Sequence, residues 1–321
     1  MTKLLLTTAL IFSASTTSVF AEGPTLTISD FIGTISVTEG SKITVSGEAD
    51  DTLIREGSDV TIDGGEEINN SNCKGYNGKF SIQIGKKSWI GRAGGYKDLE
   101  DYPSLKISAP KDVHLVIRDS VIFGEVGDIG SADLELSSCG ELSLGDINGS
   151  LDLDIRGSAD FSGGDVGASV ISVKGSGDVE LGNVQSAEID LSGSGDIEMG
   201  SVNGPLIIDI KGSGDFAADS ITGDLVYEGR GSSDFEVETV YGNVAIDVSG
   251  SSDVIIDDGE IDDLFISAGG SADVDFDGTA INADLIASGS SNINVNDLTG
   301  KREISRSGSA DIRVGDKTYS N

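Results

Sequence analysis

The chain has 321 residues, with 55 Asp and Glu against 21 Lys and Arg, a formal net charge of -34 at pH 7. So acidic a surface repels nucleic acid and anionic membrane, and neither is expected as a partner. One histidine and two cysteines cannot supply the ligand set of an ordinary zinc site.

Residues 1–21 carry Lys3, an apolar run from Leu4 to Phe12, and the ending Val19, Phe20, Ala21. This reads as a cleaved secretory signal peptide, its apolar run too short to span a bilayer. Glu22 then opens the mature chain, and position 22 is not the Cys of a lipoprotein anchor. No later segment is apolar enough to cross a membrane. The mature protein is expected in the periplasm, on the outer surface or in the medium.

Residues 22–118 hold 11 basic against 15 acidic residues and alternate apolar with polar positions in TLTI, GTISV, SKITVSG, DVTID, KFSIQIG, SLKIS and DVHLVIR. The two-residue rhythm predicts strands, here an irregular β segment capping one end of a repeat region. The stretch from Glu66 to Lys79 and the segment KKSWIGRAGGYKDLEDYP interrupt it. In the latter, Trp89 is read as pinning a loop, with contact to an anionic polymer as the alternative. Cys73 lies here and Cys139 beyond it; in an oxidising compartment they could pair, although sequence alone cannot show that their Cα atoms approach.

Residues 119–321 hold 9 basic against 40 acidic residues and a repeated motif of Gly, Ser, a small residue, Asp and an apolar residue. Its acidic position falls at Asp160, Asp178, Asp196, Asp215, Asp234, Asp253, Asp273, Asn292 and Asp311, preceded by Glu141 in a degenerate copy. Spacings of 18 to 20 residues maintained this long mean a solenoid. Within a period, pairs such as Val179 and Leu181, or Ile189 and Leu191, alternate with outward Glu180 and Asp190, while Ile147, Val166, Val184, Val202, Ile221 and Val240 form a third wall. A single coil cannot bury enough to stand alone, so about ten coils must stack. In the last coil Lys301, Arg302, Arg306, Arg313 and Lys317 place charge where a ladder edge is exposed, the signature of a cap.

The opening LTISDFIGTISVTEGSKITVSGE, the strand DVHLVIR and the serial KGSGDV, SGSGDI and KGSGDF units resemble the head GIN family of bacterial secreted and surface proteins, named as autotransporter adhesins. The resemblance implies a single-stranded right-handed parallel β-helix and an adhesive role. With nine residues after Ile312 there is no run of strands for an outer-membrane barrel, so self-secretion is not expected.

No GxSxG, HExxH or Walker A sequence occurs, and His114 is expected to face solvent; no catalytic residue is assigned. A polysaccharide-active β-helix enzyme is the remote alternative, since its carboxylates would have to break the even repeat. Calcium is the more serious one. The Asp160, Asp178, Asp196, Asp215, Asp234, Asp253, Asp273 and Asp311 ladder could hold cations, but the opposite corner reads GNV, GSV or DSI, without the second Gly and Asp of a calcium roll. The simpler reading puts Gly193 and Gly195 inward, where a side chain would crowd the interior, and Ser194 and Asp196 outward, bonding corner amides. The expectation is thus an exported, all-β, non-enzymatic structural or adhesive module without a resident cofactor, meeting a cell-surface or polysaccharide ligand, and capable of self-association.

Overall fold

The computed structural model describes residues 23–48, 53–55, 57–66, 68, 71–76, 79–84 and 95–320. The expected signal peptide, 1–21, and the KKSWIGR cluster with Trp89 lie outside the described residues. The alternation becomes strands: β1 (Thr25–Ser29), β2 (Ile32–Glu39), β3 (Thr44–Glu48), β4 (Leu53–Arg55), β5 (Val60–Asp63), β6 (Ser71–Tyr76), β7 (Lys79–Ile84), β8 (Lys97–Asp98), β9 (Ser104–Ala109), β10 (His114–Val126), β11 (Ser131–Leu144) and β12 (Leu151–Gly163), with further strands from there to Tyr319. Among the described residues there is no α-helix, and no helix long and apolar enough to cross a membrane.

From β10 onward the chain winds into a β-solenoid of about 11 turns. Every coil pairs in parallel with the next, as in Ile171 with Ile189, Ile189 with Ile208 and Ile208 with Tyr227, and the register holds except at bulges after Ile117, Ser120, Ile256 and Phe276. Equivalent side chains therefore stack in columns about 4.8 Å apart. The alternating apolar residues face a single continuous core, and the third-wall residues Ile147, Val166, Val184, Val202, Ile221 and Val240 are all buried within it.

The N-terminal residues add coils to the same core rather than only covering it. β1 pairs in parallel with β10 on one side and β5 on the other, while β2 lies likewise between β10 and β9. The first strands of the chain are thus the second layer of the stack, and residue 118 falls within β10. The outermost edge is blunted by reversal of direction: β3 runs antiparallel on β9, and β4 antiparallel on β5. At the other end Asp311–Val314 pairs antiparallel with Lys317–Tyr319, and Arg306, in the column of Ala287, donates from Nη1 to the Ala310 carbonyl (2.9 Å).

Between β5 and β9 the chain forms a small antiparallel sheet, β6–β7–β8, on the flank of the solenoid. Ile82 packs there with Ile32, Val121, Phe123 and Cys139, which point away from the main core, and the Phe80 and Phe123 rings lie 4.8 Å apart. Cys73 on β6 is disulfide-bonded to Cys139 on β11, with Cα atoms 6.2 Å apart. The bond ties this sheet to the wall.

The first Gly of the repeat has a backbone reason. One corner of every coil has positive φ, from Asp30 (50°), Asp119 (42°) and Ser138 (72°) through Gly157 (131°), Gly175 and Gly193 (148° each) to Gly308 (77°). Asp, which tolerates such angles, and once Ser occupy the corner in the first coils, and Gly serves from 157 on. A Cβ on Gly193 would also lie 1.9 Å from the Gly175 carbonyl oxygen, and one on Gly195 2.1 Å from that of Gly177. The neighbouring coil's backbone, and not the crowded interior expected from sequence, excludes the side chain.

Candidate functional site

Asp178 donates its backbone N–H to Asp160 Oδ1 (3.2 Å), Asp196 to Asp178 (2.9 Å), Asp215 to Asp196 (3.0 Å) and Asp234 to Asp215 (2.8 Å). Each carboxylate caps the amide of the coil above, so this part of the column splices one turn to the next. The pattern changes where the third motif residue changes. Gly177, Gly195 and Gly214 give way to buried Ser233, Ser252, Ala272, Ser291 and Ala310. The N–H groups of Asp253, Asp273, Asn292 and Asp311 then donate to the carbonyls of Ser233, Ser252, Ala272 and Ser291. The later carboxylates are freed from this duty, and Asp253 has its carboxyl pushed upward by burial and by Asp234, Asp273 and Asp275. One coil on from Asp273 and Asp275, Asn292 and Asn294 donate from Nδ2 to their Oδ1 atoms at 2.7 and 2.6 Å, relieving some of that charge.

A second column of the same kind stands at another corner. Asp146 donates its N–H to Asp128 Oδ1, Asp165 to Asp146, Asn183 to Asp165 and Ser201 to Asn183, at 2.8 to 3.2 Å. From its later copies, GNV and GSV, this corner is expected to lack Asp; the earlier copies, Gly127-Asp128, Gly145-Asp146 and Gly164-Asp165, correct that. No group of three or more His, Cys, Asp or Glu among the described residues is placed to hold a metal.

Beside this second column runs a groove of about 570 Å³, lined by Asp146, Asn148, Asp165, Gly167, Asn183, Gln185, Ser201 and Asn203 around buried Ile147 and Val166. Residues flanking the third-wall apolar position form its two rims. A Cβ on Gly167 would meet the Gly149 carbonyl oxygen at 2.3 Å, so the packing of coils removes a side chain from the floor. In the sequence these residues read as turns; their signal is an Asn or Gln directly after the third-wall residue.

A different wall carries a set of ion pairs. Arg118 is paired with Asp133, Arg156 with Glu135 and Asp154, Lys211 with Asp209, and Arg230 with Glu228. These exposed pairs order a surface and contribute little stability. Next to them, exposed Ile207 and Val226 stack in one column with Ala245 and Phe265.

His114 is half-buried rather than facing solvent, with Nδ1 2.8 Å from Ser131 Oγ and its pKa lowered by burial. Ser131 is 2% exposed, so its hydroxyl cannot reach a substrate as a nucleophile.

The family model described as "Putative auto-transporter adhesin, head GIN domain" matches residues 224–320, a narrower stretch than the resemblance read from the sequence. No curated protein and no solved structure matches the chain.

Proposed function

We propose that the protein is an exported, non-enzymatic β-solenoid that works as an adhesive module on the outside of the cell. The observation that carries this is the head GIN match over 224–320, on a rod whose outward polar groups recur once per coil. Rigid columns at about 4.8 Å present many weak contacts in fixed register, which suits multivalent attachment to a repetitive surface. The non-enzymatic reading is supported by the carboxylates standing in single file, many of them engaged by the backbone of the next coil. The Cys73–Cys139 bond fits an oxidising compartment.

The test is attachment of cells to abiotic and host-derived surfaces with the gene deleted and restored. Deletion should lower attachment and restoration recover it; unchanged attachment refutes the adhesive reading. Turnover of a polysaccharide by the purified protein, abolished by changing an Asp pair, would overturn the non-enzymatic one.

A further inference from the structure

The groove beside the second column continues into an exposed aromatic residue, and the two together form a strip along the rod. The register is fixed by the backbone: the N–H groups of Asn148, Gly167, Asn203, Thr222 and Tyr241 donate to the carbonyls of Ile129, Ile147, Val184, Val202 and Ile221, the third-wall residues one coil down. Gly167, Gln185, Asn203, Thr222 and Tyr241 therefore occupy one column, spanning about 19 Å over four coil steps. Tyr241 is 58% exposed, the most exposed of the large apolar and aromatic side chains among the described residues. The side-chain amides of Gln185 and Asn203 are exposed, with no partner among the described residues.

We infer that this strip binds a neutral, unbranched glycan lying along the rod axis. The chemistry is that of hydroxyl recognition. Carboxylates of Asp146 and Asp165 accept from sugar hydroxyls, the Gln185 and Asn203 amides both donate and accept, and the Tyr241 ring offers a flat face for a pyranose. A volume of about 570 Å³ suits one or two sugar units in the groove. Forty acidic against nine basic residues in 119–321 repel uronate and sulfated polymers, which selects for neutral chains. A peptide strand finds no purchase here, because the backbone N–H groups along the strip are already committed to neighbouring coils. The inference gives the adhesive reading its contact surface and rests on that reading for access to glycans outside the cell.

Titration of the purified mature protein with cellohexaose and mannohexaose, against hexagalacturonate, tests it. At least one neutral hexasaccharide should bind saturably, and the anionic one should bind at least tenfold more weakly. Tyr241→Ala, and Gln185→Ala with Asn203→Ala, should each weaken binding tenfold or more with unchanged melting, while Glu198→Ala on another wall leaves it intact. No binding of either neutral sugar, equal binding by the variants, or tighter binding of hexagalacturonate overturns the inference. Attachment lost on deletion but retained by the Tyr241→Ala strain keeps the adhesive reading and refutes the groove as its contact. Glycan binding with attachment unaffected by deletion does the reverse.

Discussion

The most exacting test of the packing concerns Tyr227 and Gly229. Tyr227 is fully buried in a column otherwise filled by Ile189, Ile208, Ile246 and Ile266, and its ring stacks on Phe235 at 4.5 Å. Two residues on, the next column reads Leu191, Ile210, Gly229 and Val248. A Cβ on Gly229 would lie 2.5 Å from the Tyr227 hydroxyl and 2.8 Å from its Cζ, so the missing side chain is the space the phenol occupies. The hydroxyl shares a hydrogen bond with Ser233 Oγ (3.0 Å), which in turn meets Ser252 Oγ (3.3 Å). Gly229→Val should cost about 1–3 kcal/mol by overpacking. Tyr227→Ile should cost about 2–4 kcal/mol through the void it leaves. Made together they restore the pair found in neighbouring coils, so the double variant should lie within about 1 kcal/mol of the parent, with coupling of at least ~2 kcal/mol. Urea unfolding, with hydrogen exchange over residues 225–231 to read the local free energy, measures the cycle. Additive losses would refute this account of the glycine.

Changing Asp160, Asp178, Asp196 and Asp215 together to Asn keeps an Oδ1 acceptor for each amide above and should leave melting equal or higher; changing all four to Ala should cost about 0.5–1 kcal/mol per lost acceptor. If the column is held by charge rather than by acceptors, the two sets will melt alike. The same parent protein should melt at one temperature in millimolar Ca²⁺ and in EDTA, and a clear rise with Ca²⁺ would restore the cation reading. Asp30, Asp152, Asp253 and Asp284 all have raised pKa values, with burial as the first cause. The folded state therefore binds protons before the unfolded one, and their contribution to stability increases as pH falls from neutral through these folded values toward about 3.8. His114, lowered by burial, acts oppositely and costs stability as pH drops through about 6.5. Melting curves of Asp253→Asn and His114→Gln from pH 7.5 to 4 should each lose the corresponding slope, and parallel curves would contradict the assignments. Reduction of Cys73–Cys139, which spans 66 residues, should remove about 4 kcal/mol of loop constraint. The rod should keep its β-sheet spectrum while strands β6, β7 and β8 become open to limited proteolysis; an unchanged digestion pattern would count against it.

The repeat was legible because each strand carries its own instruction: Ile189 and Leu191 face in and Asp190 faces out whatever lies above or below. Partner choice was not. TLTI in β1 reads like DVTID in β5, and nothing local says that β1 lies between β5 and β10, since parallel pairing is decided by stacking across long separations. The side sheet was hidden for a similar reason. Phe123 and Cys139 belong to strands of the wall yet turn outward, where a register shift after Ser120 redirects them. The Asp column was visible as a column, but its bonds needed the coil offset that brings Asp178 N–H to Asp160. The groove escaped because Gln185 and Asn203 look like turn residues until the backbone sets them in one file with Tyr241.

The placement of β1 bears on how the chain assembles. A repeat coil closes a loop of 18 to 20 residues, whereas the layer of β1 and β2, although β5 and β9 lie nearer in the chain, joins the solenoid only through β10, 89 residues further along. That closure costs about 1.4 kcal/mol more than closing one repeat, and no apolar surface is buried in return until the layer is seated. Zippering should start among the repeats and run back toward the N terminus, so the first strands of the chain are among the last to be seated. Until then β5, β9 and β10 lack their shared neighbour, and this interval is when the molecule is most open to pairing with another copy of itself.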